Sequence, residues 1–343
     1  MNLDLMRLSA MGWFSKTLGA AASLRVADAL GDSTMTYQEI AVRTGAAAEP
    51  LHVVLRSLSM LGVFTYLGDG KFVNSPLSHR LRDDHPESMR HYVILATGLY
   101  TDTFGNILHT INTGESAFRA RHGMNLYGYL EKHPEDADIY DNAMEDLTRQ
   151  VSTELAQMYD FSQVRSVIDL GGGRGAMLKA ILLVHPHLTG VVGERADTCQ
   201  RAAAELQRLG NAELLKRLSY AEVDILTDVP SGYDLYTLKN VLHNWNHASS
   251  VRILRNILAA MTETAKQGGG TVPRLLVIEP LAGQEVDWLR ALFQMTVCQD
   301  GTEGRTESSQ MAQLKEAGFT VERVIRLTTR HAVFVSTPDG TGN

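Results

Sequence analysis

A cluster of glycines near the middle of the chain, directly after a short apolar run, constrains the fold more than any other feature. The stretch from Ser166 to Ile181 reads SVIDLGGGRGAMLKAI. Its aliphatic start favours a buried strand, and its end favours a helix. Gly171, Gly173 and Gly175 lack the Cβ atoms that would disfavour positive φ angles and hold a ligand away from the backbone. Because the helix that follows offers unpaired N–H groups, the pattern predicts a strand, a turn and a helix that bind a nucleotide-like ligand.

The glycine spacing alone leaves the ligand open. Gly171-x-Gly173-x-x-Ala176 also satisfies the relaxed dinucleotide fingerprint, with Glu194 as a candidate ribose-binding acid about 20 residues further on. Asp169 lies two residues before the first glycine, where its carboxylate can accept from a ligand's ammonium group or from the amides of the turn. A dinucleotide reductase, another nucleotide-binding enzyme and a glycine-rich turn without a ligand all fit at this point.

Length and composition limit the remaining choices. A chain of 343 residues is longer than one ordinary domain, so we expect two domains, or one domain with a large helical extension. The net charge is −7 and no run of lysine or arginine is present, which argues against nucleic-acid and membrane partners and favours a small neutral or aromatic one. Cys199 and Cys298 are too few for a disulfide framework or a metal cage, so we expect no metal and a reducing, cytoplasmic location.

The N-terminal part, residues 1–90, is predicted to be mostly helical. Apolar residues recur at helical spacing from Leu5 to Leu30. Thr36-Tyr-Gln-Glu39 is a capping box that opens a short helix, and a second helix is expected from about Pro50 to Leu61. Val63–Leu67 and Lys71–Asn74 fit a hairpin. This is a winged-helix pattern, but the second helix is apolar where a DNA reader needs cations, so a dimerisation domain is favoured over a transcription regulator.

Residues 91–160 are predicted to form a helical linker that is rich in aromatic and thioether side chains. They are Tyr92, Tyr100, Phe104, Met124, Tyr127, Tyr129, Tyr140 and Met144. Such side chains are ordinary core material, but they also suit the wall of a pocket for a flat aromatic substrate.

Residues 161–338 repeat a pattern of strand and helix. A polar residue follows each predicted strand, where open α/β sheets bind their ligands. The strands are Leu188–Val192 before Glu194, Leu214–Val223 before Asp224, Tyr233–Leu238 before Lys239, and Arg274–Ile278 before Glu279. Phe319–Leu327 and His331–Ser336 fit a closing antiparallel pair. The predicted fold is α/β, a doubly wound, mostly parallel, seven-stranded, Rossmann-like sheet, followed by a flexible tail at 339–343.

Together these motifs resemble the small-molecule O-methyltransferases of the plant caffeate and bacterial polyketide-tailoring type. Asp169-x-Gly171-x-Gly173 resembles motif I of class I S-adenosylmethionine-dependent methyltransferases. The resemblance covers nearly the whole chain and is most specific at Leu238-Lys-Asn-Val-Leu-His-Asn-Trp245. It implies S-adenosylmethionine as cofactor, a homodimer formed through the N-terminal domain, and an aromatic acceptor with a phenolic or enolic hydroxyl.

The resemblance assigns the role of general base to His243. A phenol of pKa about 10 is mostly protonated at neutral pH, so a base with a pKa near ~6.5 suits its deprotonation. A packed core histidine is the alternative. Cofactor contacts are implied, by position, for seven residues: Asp169, Gly171 and Gly173 for the methionine portion, Glu194 for the ribose, Asp224 and Ile225 for the adenine, and Lys239.

The chain departs from the plant pattern beside the base. Plant members orient the histidine with two glutamates; Glu279 matches the first, but the second position falls on Gly304, so Glu303 could substitute or His243 could act without it. Asn244 could hydrogen-bond the acceptor. Met144 and Arg305 resemble substrate contacts. Some relatives of this fold keep the cofactor and instead promote hydroxylation, decarboxylation or pericyclic steps, which leaves a second enzyme class open.

Overall fold

The computed structural model describes residues 4–267, 272–281 and 283–340. The chain divides into two compact units, Met1–Gly105 with His133–Leu147, and Asn106–Lys132 with Thr148–Asn343. The last three residues of the predicted tail, 341–343, lie outside the described residues.

The first unit surrounds a small antiparallel sheet with short helices. Its strands are β1 (Met35–Thr36), β2 (Phe64–Gly68) and β3 (Lys71–Asn74), in the order β1-β3-β2. Its helices are α1 (Leu5–Ser9), α2 (Met11–Ser23), α3 (Val26–Leu30), α4 (Tyr37–Thr44), α5 (Ala48–Met60), α6 (Pro76–His79), α7 (Arg90–Leu95) and α8 (Thr101–Phe104), with a π-helical segment, Ala96–Tyr100, before α8.

Local sequence signals set the elements of this unit. Thr36 caps α4, because its hydroxyl accepts from Glu39 N at 3.3 Å while the Glu39 carboxylate accepts from Thr36 N at 2.7 Å. The apolar face of α5 packs against the sheet through buried residues that include Leu55 and Phe72. The predicted order of helix, turn, helix and hairpin is confirmed.

Four helices follow: α9 (Ile107–Thr113), α10 (Ala117–His122), α11 (Leu126–Lys132) and α12 (Pro134–Met158). The first three belong to the second unit, and α12 begins in the first unit and ends in the second. Gly114 and Gly123 end α9 and α10 with φ angles of 76° and 70°, conformations that glycine adopts at little cost.

The second unit is built on a seven-stranded sheet in the order β6-β5-β4-β7-β8-β10-β9. Its strands are β4 (Ser166–Leu170), β5 (Thr189–Glu194), β6 (Leu218–Glu222), β7 (Leu235–Lys239), β8 (Arg274–Glu279), β9 (Phe319–Arg326) and β10 (Ala332–Pro338). Strands β4 to β8 pair in parallel, and β10 runs antiparallel between β8 and β9. The helices are α13 (Ala176–Val184), α14 (Ala196–Leu209), α15 (Ala212–Arg217), α16 (His247–Gln267), α17 (Trp288–Val297) and α18 (Glu307–Glu316).

The predicted fold class is confirmed, and the strand order indicates the edge of the sheet at which such folds bind ligands. The chain runs outward from β4 through β5 to β6, then returns to β7 on the other side of β4. Open α/β sheets bind ligands at the carboxyl ends of their strands beside such a reversal. Two buried apolar clusters cover the faces of the sheet, so its strands lie in the core.

The strand predicted at Leu214–Val223 is wrong in its first part. Residues 212–217 form α15, and β6 begins only at Leu218. The Asn211 side chain accepts from Glu213 N and Leu214 N, both at 3.2 Å, and so caps a short helix that buries Leu214. In the described parts of the chain, every helix is too short or too polar to cross a membrane.

Candidate active site

The glycine turn after β4 is tied to the neighbouring strand and leaves an open space. Gly171 N donates to Gly193 O at 2.8 Å, at the carboxyl end of β5. A Cβ on Gly172 would lie 2.4 Å from Oδ2 of Asp169, so only glycine fits there. Gly173 has a φ of 58° and nothing within 4 Å of an added Cβ. The turn therefore packs tightly against Asp169 at Gly172 and leaves open space at Gly173.

Asp169 lies under this turn as a buried acid, and among the residues that the structure describes only one of its two carboxylate oxygens is hydrogen-bonded. It is 1% exposed, and its Oδ1 accepts from Thr237 Oγ1 at 2.8 Å. Its Oδ2 is buried and has no hydrogen-bond partner within the described residues. Burial raises its pKa to about 6, against the opposing effects of the Thr237 hydrogen bond and Lys239. A buried acceptor beside an open glycine turn fits a cationic donor, such as the ammonium group of an amino-acid ligand.

The other predicted cofactor residues lie at the same edge of the sheet. Glu194 ends β5, half-buried, and its Oε2 accepts from Arg195 N at 2.7 Å. Asp224 follows β6 and is exposed; its Oδ1 accepts from Leu226 N at 3.0 Å. Ile225 packs against the apolar cluster on that face of the sheet. The carboxyl ends of β4, β5 and β6 thus carry Asp169, Glu194 and Asp224 in the order of the strands.

His243 and Glu279 form a direct pair at the ends of the next two strands. Nδ1 of His243 lies 2.6 Å from Oε2 of Glu279, and His243 N donates to Oε1 at 3.4 Å. The carboxylate is 1% exposed and the imidazole 14% exposed. Burial would raise the pKa of Glu279, but the neighbouring His243 and Arg305 hold it below its ordinary value. Because an ionised carboxylate on Nδ1 fixes the tautomer, Nε2 is the nitrogen left to accept a proton.

The backbone after β7 turns sharply to present His243. Asn240 adopts a φ of 57° and its N donates to Ile278 O at 2.9 Å, which starts the turn beside β8. A 3₁₀ turn, Leu242–Asn244, carries the histidine. The buried Gln294 donates from Nε2 to His243 O at 3.1 Å and so holds the turn from α17.

Lys239 ends β7 within the field of both carboxylates. Burial lowers its pKa to about 8, while Asp169 and Glu279 act in the opposite sense. His331 contributes a further buried group: its pKa falls to about 4, first through burial and then through the charge of Lys239. The cofactor motif and the histidine pair are therefore linked electrostatically through the end of β7.

The position expected for a second orienting glutamate is closed. A Cβ on Gly304 would lie 2.5 Å from Val286 Cγ1 and 2.9 Å from Ala291 Cβ. Glu303 is exposed. Within the described residues, Glu279 is the carboxylate that accepts the hydrogen bond of His243 Nδ1. The geometry thus favours a histidine oriented by one carboxylate.

The three predicted substrate residues are placed differently. Asn244 donates from Nδ2 to Asn240 O at 3.2 Å and accepts from Cys298 Sγ at 3.3 Å, so its amide is already engaged. Arg305 donates to Trp245 O at 2.7 Å. Met144 lies half-buried on α12 in the first unit. Substrate contacts for these residues stay predictions.

Sequence reasoning missed three side chains that build this region. Thr237 and Gln294 hold Asp169 and His243 through the hydrogen bonds given above. Tyr127 was noted only as one of many aromatics; its ring stacks on that of Trp245, with centroids 6.1 Å apart, and the Arg195 guanidinium lies 5.3 Å from it. A polar residue within the otherwise apolar β7 was the available signal for Thr237. No local signal marks Gln294.

Two family models match the chain: an O-methyltransferase domain over residues 104–320 and an O-methyltransferase dimerisation domain over residues 6–84. The chain belongs to the O-methyltransferase family. The predicted enzyme class and cofactor are confirmed with it, so this is an S-adenosylmethionine-dependent O-methyltransferase.

Similar proteins support this placement of the methyltransferase. A phenazine O-methyltransferase of Lysobacter antibioticus is 33% identical over 315 residues, which cover 91% of this chain and 89% of the relative. An O-methyltransferase from neocarzinostatin biosynthesis, solved with S-adenosylmethionine and 2-hydroxy-5-methyl naphthoic acid, superposes with a TM-score of 0.81 at 28% identity, covering 98% of this chain and 99% of the other.

One relative of the methyltransferase carries the name of a different reaction. An aclacinomycin 10-hydroxylase of Streptomyces purpurascens is 34% identical over 272 residues, covering 76% of this chain and 68% of the relative. The family therefore includes proteins named for methylation and for hydroxylation.

Proposed function

We propose that the enzyme methylates a hydroxyl of an aromatic, natural-product-like small molecule, with His243 as general base and Glu279 as the group that orients it. The contact that carries the proposal is the 2.6 Å approach of His243 Nδ1 to Glu279 Oε2. Because the buried carboxylate of Glu279 binds Nδ1 of the imidazole, Nε2 is available for proton transfer. A histidine that served only the core would be more fully enclosed than this one, which is 14% exposed.

The chain's own groups divide the work between positioning and proton transfer. Bound S-adenosylmethionine supplies a methyl group on a positively charged sulfur. Nε2 of His243 takes the proton from the acceptor hydroxyl, which makes the oxygen a stronger nucleophile. Glu279 stabilises the imidazolium that results, because its carboxylate is ionised and within hydrogen-bond distance.

We propose that S-adenosylmethionine binds at the carboxyl ends of the strands, to the residues predicted from the sequence. Asp169 Oδ2 accepts from the ammonium of the methionine portion, over Gly171 and Gly173. Glu194 accepts from the ribose hydroxyls, since a carboxylate suits two adjacent donors. Asp224 and Ile225 contact the adenine. Lys239, whose pKa burial lowers to about 8, is the cofactor-contacting lysine.

The acceptor class is supported by a pair of aromatic rings, one of which lies on the segment that follows His243. Tyr127 and Trp245 stack with an interplanar angle of 25°, and Trp245 is only two residues from His243. Flat aromatic molecules pack favourably on such rings.

We also propose a homodimer formed through the N-terminal domain. Support comes from the dimerisation-domain match and from large apolar side chains exposed on α1 and α2.

The test is turnover of His243→Ala against a panel of phenolic acids that begins with 2-hydroxy-5-methyl naphthoic acid. Wild type should yield a product heavier by one methylene unit and an equal amount of S-adenosylhomocysteine. The variant should fold and bind S-adenosylhomocysteine normally but lose about 10²–10⁴-fold in kcat. His247→Ala is the matched control, because His247 is 65% exposed and pairs with Glu316. Near-normal turnover in His243→Ala would remove the base assignment.

The similarity to the aclacinomycin 10-hydroxylase raises hydroxylation as a second reaction to test for this methyltransferase. Because insertion of an oxygen atom from dioxygen needs an external two-electron reductant, hydroxylation predicts a product heavier by one oxygen only when both are supplied, and no S-adenosylhomocysteine. The same mass measurement therefore separates the two reactions. The His243–Glu279 pair favours methyl transfer, because a proton-accepting base is what a hydroxyl nucleophile needs.

A further inference from the structure

A small pocket that several polar side chains line adjoins the His243–Glu279 pair on the side of α17 and the loop before α18. Its lining includes His243, Glu279, Arg290, Gln294, Arg305 and Gln310. Most of these side chains have no part in the proposed proton transfer. The pocket therefore needs its own explanation.

Several polar atoms of this lining are buried without a hydrogen-bond partner in the described part of the chain. They are Arg290 Nε, Gln294 Oε1, Arg305 Nη1 and Gln310 Oε1. Buried polar atoms are almost always paired with protein or with ordered water. Donors and acceptors gathered around one small space suit bound water, which then carries hydrogen bonds between the arginine and glutamine side chains.

Arg305 is anchored on the segment that follows His243. Its Nη2 donates to Trp245 O at 2.7 Å and to Ser250 Oγ at 2.8 Å. Ser250 Oγ donates in turn to Leu242 O at 3.3 Å, within the 3₁₀ turn of the histidine. A guanidinium is a planar fork, so two contacts on one nitrogen fix its orientation. Moving Arg305 toward a ligand would break both contacts.

The charge of Arg305 acts on Glu279. The pKa of Glu279, which burial would raise, is kept low by His243 and then by Arg305. The pKa of Arg305 is lowered by burial, with Glu279 acting in the opposite sense. Lys239, Cys298 and His331 also interact electrostatically with Glu279. Asp287 and Arg290 line the same pocket, where Arg290 Nε lies 3.8 Å from Asp287 Oδ2. Burial of an unpaired carboxylate is costly. The fixed positive charge of Arg305 beside the His243–Glu279 pair therefore favours the ionised form of Glu279.

We propose that Arg305 is a positioning residue for the His243–Glu279 pair. Its guanidinium keeps Glu279 ionised and holds the backbone that carries His243, at the place where Gly304 leaves no room for a second carboxylate. This role rests on the proposed function, because it presumes that His243 is the base. It differs from a substrate contact, which would act on acceptor binding.

The test compares Arg305→Met, which removes the charge at similar length, with Arg305→Lys, which keeps it. Arg305→Met should lower kcat by about 10- to 100-fold, less than the ~10²–10⁴-fold expected for loss of the base, because Arg305 acts only through the His243–Glu279 pair. KM for the acceptor and Kd for S-adenosylhomocysteine should stay within about twofold of wild type, a change of under about 0.5 kcal/mol. The acid limb of the kcat profile should move to higher pH, because Glu279 loses a cation that favours ionisation. Arg305→Lys should leave that limb in place and recover part of kcat.

Arg252→Met is the matched control, since Arg252 is an exposed cation of α16, and it should change none of these readings. A rise in KM at unchanged kcat in Arg305→Met would assign Arg305 to the substrate and overturn the proposal. An Arg305→Met protein with a lower Tm but an unchanged acid limb of the kcat profile would also overturn the proposal. If Arg305→Met does not fold, Arg305→Lys decides: a raised KM overturns the proposal, and a reduced kcat at unchanged KM supports it.

The two proposals fail in different ways. If His243→Ala retains turnover, the base assignment fails whatever Arg305 does. If His243→Ala loses turnover while Arg305→Met alters only KM, the role of Arg305 alone fails.

Discussion

Oε2 of Glu279 lies 2.6 Å from Nδ1 of His243, although 36 residues separate the two in the sequence. The contact joins the last residue of β8 to the turn after β7, and these strands pair in parallel with Lys239 opposite Ile278. Parallel pairing brings both strand ends to one edge of the sheet. The pair is therefore a direct product of the sheet topology.

Glu279→Gln should lower kcat by about 10²–10⁴-fold, because a neutral amide stabilises an imidazolium less well than a carboxylate and no longer selects the tautomer. Binding of S-adenosylhomocysteine, measured by calorimetry, should not change. Glu285→Gln is the control, since Glu285 is an exposed glutamate with no assigned role in the site. Turnover within a few-fold of wild type in Glu279→Gln would show that the carboxylate is not needed.

Asp169→Asn should stabilise the ligand-free enzyme and weaken its grip on the cofactor. A buried carboxylate whose pKa is raised from 3.8 to about 6 opposes folding when ionised, and the amide removes up to about 3 kcal/mol of that cost. Loss of a charge-assisted hydrogen bond should raise Kd for S-adenosylhomocysteine at least about 10-fold. Thermal unfolding and calorimetry measure the two effects. Exposed Asp228→Asn should show neither, and unchanged cofactor affinity in Asp169→Asn would refute the ammonium contact.

The same group gives a pH signature. Because its folded pKa is raised, the stability that protonated Asp169 contributes is fully present below 3.8 and is lost as pH rises through about 6. Wild type should therefore lose stability relative to Asp169→Asn across this window, as measured by denaturant unfolding. Affinity for S-adenosylhomocysteine should fall as pH drops below about 6, since the carboxylate must be ionised to accept from an ammonium. A flat difference between the two proteins would contradict the assignment.

Gly173→Ala should separate backbone strain from ligand contact. Its φ of 58° makes alanine unfavourable by roughly 1–2 kcal/mol, and the added methyl enters the open space over the turn. Gly210→Ala is the matched control, because Gly210 ends α14 with a φ of 64° and also has nothing within 4 Å of an added Cβ. Both variants should lose similar stability, but only Gly173→Ala should bind S-adenosylhomocysteine more weakly. Equal affinities would place the cofactor elsewhere.

Trp13→Glu should convert the proposed dimer to monomer in light-scattering measurements. Trp13 is 76% exposed on α2 and Leu5 is 85% exposed on α1, and a charge at such a position opposes burial in an interface. Leu183→Glu, a matched change at an exposed residue of α13, should leave the dimer intact. A Trp13→Glu protein of unchanged mass would move the interface away from this helix.

The sequence determined the features that depend on neighbouring residues. The capping box at Thr36 and Glu39 starts α4, and the glycines after β4 form the turn that the spacing predicted. Alternation of apolar strands with helices predicted the parallel sheet, and hence the edge where Asp169, Glu194, Lys239 and Glu279 lie. The error at Leu214 has the same origin, since its apolar run suits a strand or a short helix and the cap at Asn211 was overlooked.

Only the tertiary structure decided which side chains support those residues. Thr237 bonds Asp169 across 68 residues, Gln294 bonds the backbone of His243 across 51, and Arg305 reaches Trp245 across 60. Val286 and Ala291 fill the space that a side chain at Gly304 would need. No sequence pattern links these two residues to Gly304. Such contacts depend on how α17 and the loop before α18 pack against the end of the sheet. Local patterns therefore fixed the strands and their polar ends, and packing between distant segments chose the partners that hold them.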